Sequence, residues 1–255
     1  MVPDLAVHGL DGELTLLGRV LPASNATFVG RIGERQVVYK PVSGERPLWD
    51  FPDGTLARRE VAVYAVSEAL GWGLVPPTVL RDGPHGPGMV QLWQEPHADA
   101  VPVDVVPVGQ LPTGYLHVLD AVGAHDEPVS LVHEDTPDLR RMAVLDVVVN
   151  NGDRKGGHVL GLAGGRRMGV DHGVSFHVDP KLRTVLWGWV GQALPADDRA
   201  AVARVRGDAW LHELLSGLLS AAEVVAFDAR CDALLAAGRM PAPSGEWPAI
   251  PWPAF

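Results

Sequence analysis

Two short polar breaks between apolar segments hold the residues best suited to chemistry. The first is Asn150-Asn151-Gly152-Asp153-Arg154-Lys155-Gly156-Gly157-His158-Val159-Leu160, which crowds an amide pair, an acid, two bases and three glycines into one turn-like run. The second is Val170-Asp171-His172-Gly173. Two such loops meeting at one place would bring Asp153 and Asp171 together. One acid beside a hydroxyl and one acid able to hold a divalent ion are what phosphoryl transfer asks of a protein, together with groups that position phosphate. Each aspartate read alone is equally a turn former.

Earlier elements supply candidates for the positioning role. Thr27 to Ile32 and Gln36 to Lys40 read as a β-hairpin rich in β-branched and aromatic residues, turning at Gly33-Glu34-Arg35. Lys40 closes the second strand, and Pro41 follows. Thr55 to Leu70 reads as a helix, because Leu56, Val63, Val66 and Leu70 recur on one face. Glu60 falls on that apolar face, where a carboxylate is costly unless paired. Lys40, on the neighbouring strand, is the partner this pattern points to; Arg58, Arg59 and Glu68 read as solvated neighbours. Gly71 stops the helix. Ser24-Asn25-Ala26 is a small-residue turn placed to lie over phosphates. Met89 to Trp93 is a strand broken by Gln94-Glu95-Pro96; if a hinge between two lobes falls there, Gln91 to Glu95, Gln91 and Trp93 among them, would line an adenine pocket through backbone groups.

The order Asp-Arg-x-x-x-His followed by Asp-x-Gly resembles the catalytic and metal-binding loops of the phosphatidylinositol 3-/4-kinase-like and HipA-like kinases, and the chain as a whole resembles an actinobacterial branch of that group. The resemblance runs from about Thr27 to Gly173. It implies an α+β, bilobal protein-kinase-like fold of the atypical type. A β-rich N-terminal lobe over residues 1–94 would precede a mainly helical C-terminal lobe over 95–255. It further implies ATP as donor, Lys40 and Glu60 positioning phosphate, and Asp153 as base or hydroxyl-orienting residue. Asp171 and His158 would hold Mg²⁺ or Mn²⁺, and Arg154 or Lys155 would contact phosphate or hold the loop. The chain departs from the pattern at His158, where these families carry asparagine; imidazole suits Mn²⁺ better than Mg²⁺.

The remaining helices carry clear local signals. Thr136 is an N-cap followed by Pro137 and Asp138. Pro195 to Arg206 and Asp208 to Leu219 read as helices, and Ser220-Ala221-Ala222-Glu223 as a capping box opening a helix to Ala237. Pro96 to Glu134 resists assignment. Leu182 to Val190 reads as loop or strand with Trp187 and Trp189 in core packing, and Met240 to Phe255 as an extended tail.

A formal net charge of −10 disfavours nucleic-acid binding, which needs a basic face. Apolar residues make up 47% of 255, enough for a large core. There is no secretory signal and no apolar run of transmembrane length. With a single cysteine, Cys231, these features fit a cytoplasmic protein. His212-Glu213 lacks the second histidine of a zinc-protease helix. Three readings follow: a kinase acting on a hydroxyl acceptor (protein Ser/Thr, a small alcohol or an inositol lipid), a nucleotide-binding pseudokinase used as an interaction module, or an unrelated α+β domain.

Overall fold

The computed structural model describes residues 9–20, 25–46, 48–51, 55–245 and 247–255. Ser24, expected beside phosphate, lies outside them. The chain folds as an α+β protein with a β-rich N-terminal part followed by a part that holds most of the helices. Five antiparallel strands form the first sheet in the order β1-β2-β3-β5-β4: β1 (Leu14–Arg19), β2 (Phe28–Ile32), β3 (Arg35–Pro41), β5 (Gly86–Leu92) and β4 (Thr78–Gly83). The expected hairpin is β2–β3, paired from Phe28 opposite Tyr39 to Ile32 opposite Arg35. Leu10 to Val20, readable as helix or strand, contains strand β1.

Period-two alternation sorts the sheet's faces. Val37, Tyr39 and Val90 point into a small core with Leu10, Leu14 and Ile32. Val38, Lys40 and Gln91 point to the other face, where helix α1 (Leu56–Leu70) also packs. Gly71 ends α1 in the left-handed region at φ 73°, as its C-cap. The helix is buried nearly all round, not along one stripe. Arg59, read as solvated, is buried; it pairs with Glu223 and donates to the Ser175 carbonyl, since α1 runs between the sheet and the helices of the C-terminal part.

The segment without a sequence assignment forms a three-stranded antiparallel sheet, β6 (Val103–Pro107), β8 (Pro128–Glu134) and β7 (Tyr115–Val122), with β8 in the centre. Helix α2 (Pro137–Val149) follows, capped by the Thr136 hydroxyl accepting the Leu139 N–H. A short hairpin, β9 (Val159–Gly161) and β10 (Arg167–Gly169), separates the two polar loops. Residues 182–190 form no strand; Trp187–Trp189 is one 3₁₀ turn, both indoles buried. Helices α3 (Ala196–Arg206), α4 (Ala209–Leu218) and α5 (Ala221–Ala237) close the fold, and Ser220 and Glu223 make the expected capping box at the start of α5. The main core joins α1, α2, α4 and α5 around Val63, Val66, Leu145, Val148, Leu215 and Phe227. Among the described residues no helix is long and apolar enough to cross a membrane.

Candidate active site

Each wall of the site is set by local sequence. Strand β3 delivers Lys40 to the cleft face because Tyr39 takes the opposite one. Helix α1 brings Glu60 to within 2.7 Å of the lysine, Nζ to Oε1. The pair inferred from an isolated inward carboxylate therefore forms. The second carboxylate oxygen of Glu60 accepts the His172 backbone N–H at 3.0 Å, so Glu60 also pins the loop of Asp171. Lys40 Nζ reaches Asp171 Oδ1 at 2.8 Å. The lysine thus bridges a helix carboxylate and a loop carboxylate. Burial alone would lower its pKa, but Asp171 and Glu60 together raise it above the ordinary value. Lys40 holds the Asp171 carboxyl well below the usual range against the cost of burial.

The first loop begins where α2 ends. Asn150 takes φ 53° as the C-cap, a conformation asparagine tolerates better than most residues. The Asn151 side chain accepts the Asp153 N–H at 3.0 Å, an Asx turn that fixes the aspartate. Burial raises the Asp153 pKa, aided by Asp171, while Lys155 and His158 oppose the rise. A carboxylate of raised basicity is a better partner for a hydroxyl proton. In the second loop Asp171 sits at φ 60°, a strained setting for a non-glycine residue. A Cβ at Gly173 would stand 3.2 Å from the Leu56 Cβ of α1, so the loop passes close to the helix there.

His158 joins the two loops. Its Nδ1 lies 2.9 Å from the Asp153 carbonyl oxygen and its Nε2 3.5 Å from Asp171 Oδ2. Burial lowers its pKa, which favours the neutral ring. Neutral imidazole donating Nδ1–H to a carbonyl leaves the Nε2 lone pair free, as a metal-ligating histidine requires. This donor set fits a divalent ion held by Asp171 and His158. Among the described residues no three His, Cys, Asp or Glu side chains cluster as a metal site. The protein would therefore supply two ligands and leave the others to phosphate and water, as Mg²⁺ sites commonly do.

These residues line one cleft of about 560 Å³. Lys40, Asp153, Lys155, His158 and Asp171 are its charged lining, and Val20, Val38, Leu92, Leu160 and Val170 are among its apolar lining. Asn25, Gln91 and Trp93 also line it. The Gln91 side chain is buried and donates to the Thr78 hydroxyl at 2.9 Å.

Arg154 is the exception among the expected phosphate contacts, because it is fully buried and absent from the cleft wall. Its guanidinium grips Asp146 of α2 at 2.9 to 3.2 Å and donates to His172 Nε2 at 2.7 Å. It also donates to the carbonyls of His158 and Val170. Arg154 therefore fastens both loops to α2, the second of the two roles its sequence allowed. Asp146 escaped the sequence reading, and His172 was read only as part of the second polar break. Asp146 left a signal, as the single acid in Ala143-Val144-Leu145-Asp146-Val147-Val148-Val149.

A strand lysine paired with a helix glutamate thus shares a cleft wall with two loop aspartates in an α+β fold. The chain is 52% identical over 263 residues to Protein Rv2133c of Mycobacterium tuberculosis, covering 96% of this chain and 93% of that protein. It belongs to the family of that mycobacterial protein. Among solved structures it resembles the Helicobacter pylori proinflammatory kinase CtkA, with a TM-score of 0.48, 11% identity, and coverage of 90% of this chain and 93% of that one. No family model matches the sequence.

Proposed function

We propose that the protein is an ATP-dependent phosphotransferase acting on a hydroxyl acceptor. The observation that carries this reading is Lys40 bridging Glu60 and Asp171 in a cleft lined by both charged and apolar residues. The apolar walls suit a base, with residues 1–94 as the lobe that covers it. Lys40, oriented by Glu60, would meet the phosphates. A divalent ion on Asp171 and His158 would neutralise charge on the phosphate oxygens. Asp153, its basicity raised, would orient the acceptor hydroxyl and take its proton as the oxygen attacks phosphorus. Lys155, with Nζ 3.8 Å from the Asp153 carboxylate, would meet an incoming phosphate.

A second reading, a pseudokinase that binds nucleotide without transfer, rests on His158 in place of asparagine. Labelled γ-phosphate, followed into water and onto the protein with Mg²⁺ or Mn²⁺, separates the two. The enzyme releases or transfers label, and Asp153→Ala stops this while ATP still raises the melting temperature. A wild-type protein that is stabilised by ATP and moves no label with either ion is the pseudokinase.

A further inference from the structure

The two halves of the first polar loop are held differently. Asn150, Asn151 and Arg154 tie the first half to α2 and to the segment after the second loop. The second half, Lys155-Gly156-Gly157, has less to hold it. Among the described residues, Lys155 and Gly157 make no hydrogen bond beyond the loop itself. The Gly156 N–H donates to the Ala254 carbonyl at 2.8 Å, and among the described residues this is the one hydrogen bond from the three to another segment.

Ala254 lies in the tail, which is itself fastened. The Ala249 carbonyl accepts the Thr184 N–H at 3.0 Å and the Trp187 indole N–H at 2.9 Å. Pro251 is buried, and Ile250 and Ala254 pack against the main core. Phe255 then sets its ring against the loop, so that a Cβ at Gly156 would collide with ring atoms Cδ1, Cε1 and Cζ. Gly156 does not have a positive φ, so its backbone makes no demand for glycine; the space taken by the ring does. At Gly157 a Cβ would meet nothing. Lys155, Gly157 and His158 line the cleft, while Gly156 and Phe255 do not. The ring therefore backs the loop from outside the cleft and does not fill it.

We infer that residues 249–255 form a strap that sets the first loop, with Phe255 a positioning residue for Lys155 and His158. A turn with two glycines has wide conformational freedom, and a packed ring with a bonded N–H restricts it. The effect on metal and nucleotide rests on the phosphotransferase reading, in which His158 holds the divalent ion and Lys155 meets phosphate.

Hydrogen exchange at the Gly156 amide, followed by NMR on the full chain without nucleotide, tests the strap apart from that reading. Phe255→Ala should speed this exchange roughly tenfold or more, because local opening no longer exposes the ring. The ring is half exposed and outside the main core, so the urea midpoint should stay near that of the wild type. Calorimetric titration with Mn·ATP reads the positioning. Phe255→Ala frees the loop and Gly156→Ala pushes the ring off it, so each should weaken Mn·ATP about tenfold, the lower end for groups behind a metal ligand. With both changes the new methyl group at 156 enters the space the ring vacates, so the double variant should bind at least as well as either single one. Unchanged exchange in Phe255→Ala, or single losses that simply multiply in the double variant, would overturn the inference. Faster exchange in Phe255→Ala, in a protein whose wild type binds no Mn·ATP, would uphold the strap and count against the phosphotransferase reading alone.

Discussion

Replacing Arg154 with methionine should cost more stability than a change at any exposed arginine. Both partners of the Arg154–Asp146 pair are fully buried. Methionine keeps much of the apolar volume and removes the charge. Asp146 would retain only the Asn151 amide at 2.9 Å and the Thr184 hydroxyl at 3.0 Å. Breaking a buried pair from one side leaves an uncompensated charge, at a cost of about 3–5 kcal/mol. For a chain of this size that corresponds to a melting point lower by roughly 6–20 °C. Urea unfolding followed by circular dichroism measures the loss directly, provided the slope with denaturant is unchanged. The double variant Asp146→Leu with Arg154→Met removes both charges and should recover part of the stability. It should not recover all of it, because the His158 and Val170 carbonyls, His172 Nε2 and the Thr184 hydroxyl all lose a partner. A loss below about 1 kcal/mol in the single variant, the range of an exposed pair, would refute the view that this pair anchors the loops.

Three further outcomes follow from the same geometry. Glu60→Gln removes one charge-assisted bond to Lys40 but leaves Asp171, so ATP should bind about tenfold more weakly by calorimetry while the fold persists; unchanged affinity would remove Glu60 from the orienting role. His133 is buried against Trp189, with its Nδ1 at the Glu134 carbonyl and its Nε2 accepting the Gly188 N–H, and burial lowers its pKa. Because the unfolded chain binds the proton more readily, His133 contributes stability that is fully present above about pH 6.5 and lost as pH falls through the folded pKa; a His133→Gln variant should lack that part of the slope in a series of unfolding midpoints. Cys231 is buried and burial pushes its thiol up to about 12, so iodoacetamide should leave the native protein unlabelled by mass spectrometry and label the urea-unfolded chain.

Local signals carried most of what the sequence revealed. The β2–β3 hairpin, the stop of α1 at Gly71, the Thr136 cap and the Ser220 capping box each depend on residues a few positions apart. Lys40 and Glu60 could be paired because a carboxylate on an apolar helical face demands a cation nearby. The bond from Lys40 to Asp171 joins residues 131 positions apart and has no such local cue. The β6–β8–β7 sheet was illegible for a related reason. Its first strand pairs with its last, and its outer strands β6 and β7 are only partly buried, so alternation is weak. Arg59 looked solvated because its partners Ser175 and Glu223 come from distant segments. Arg154 sat in a loop crowded with polar residues, where the sequence could not separate a phosphate contact from a buried anchor.

Calorimetric titration tests most directly whether ATP occupies the cleft lined by Lys40 and Asp171. Saturable binding of ATP with Mg²⁺ or Mn²⁺ is expected, weakened at least tenfold by Lys40→Met and made insensitive to the metal by Asp171→Ala. Absence of ATP binding to the folded wild-type protein with either ion would contradict that occupancy.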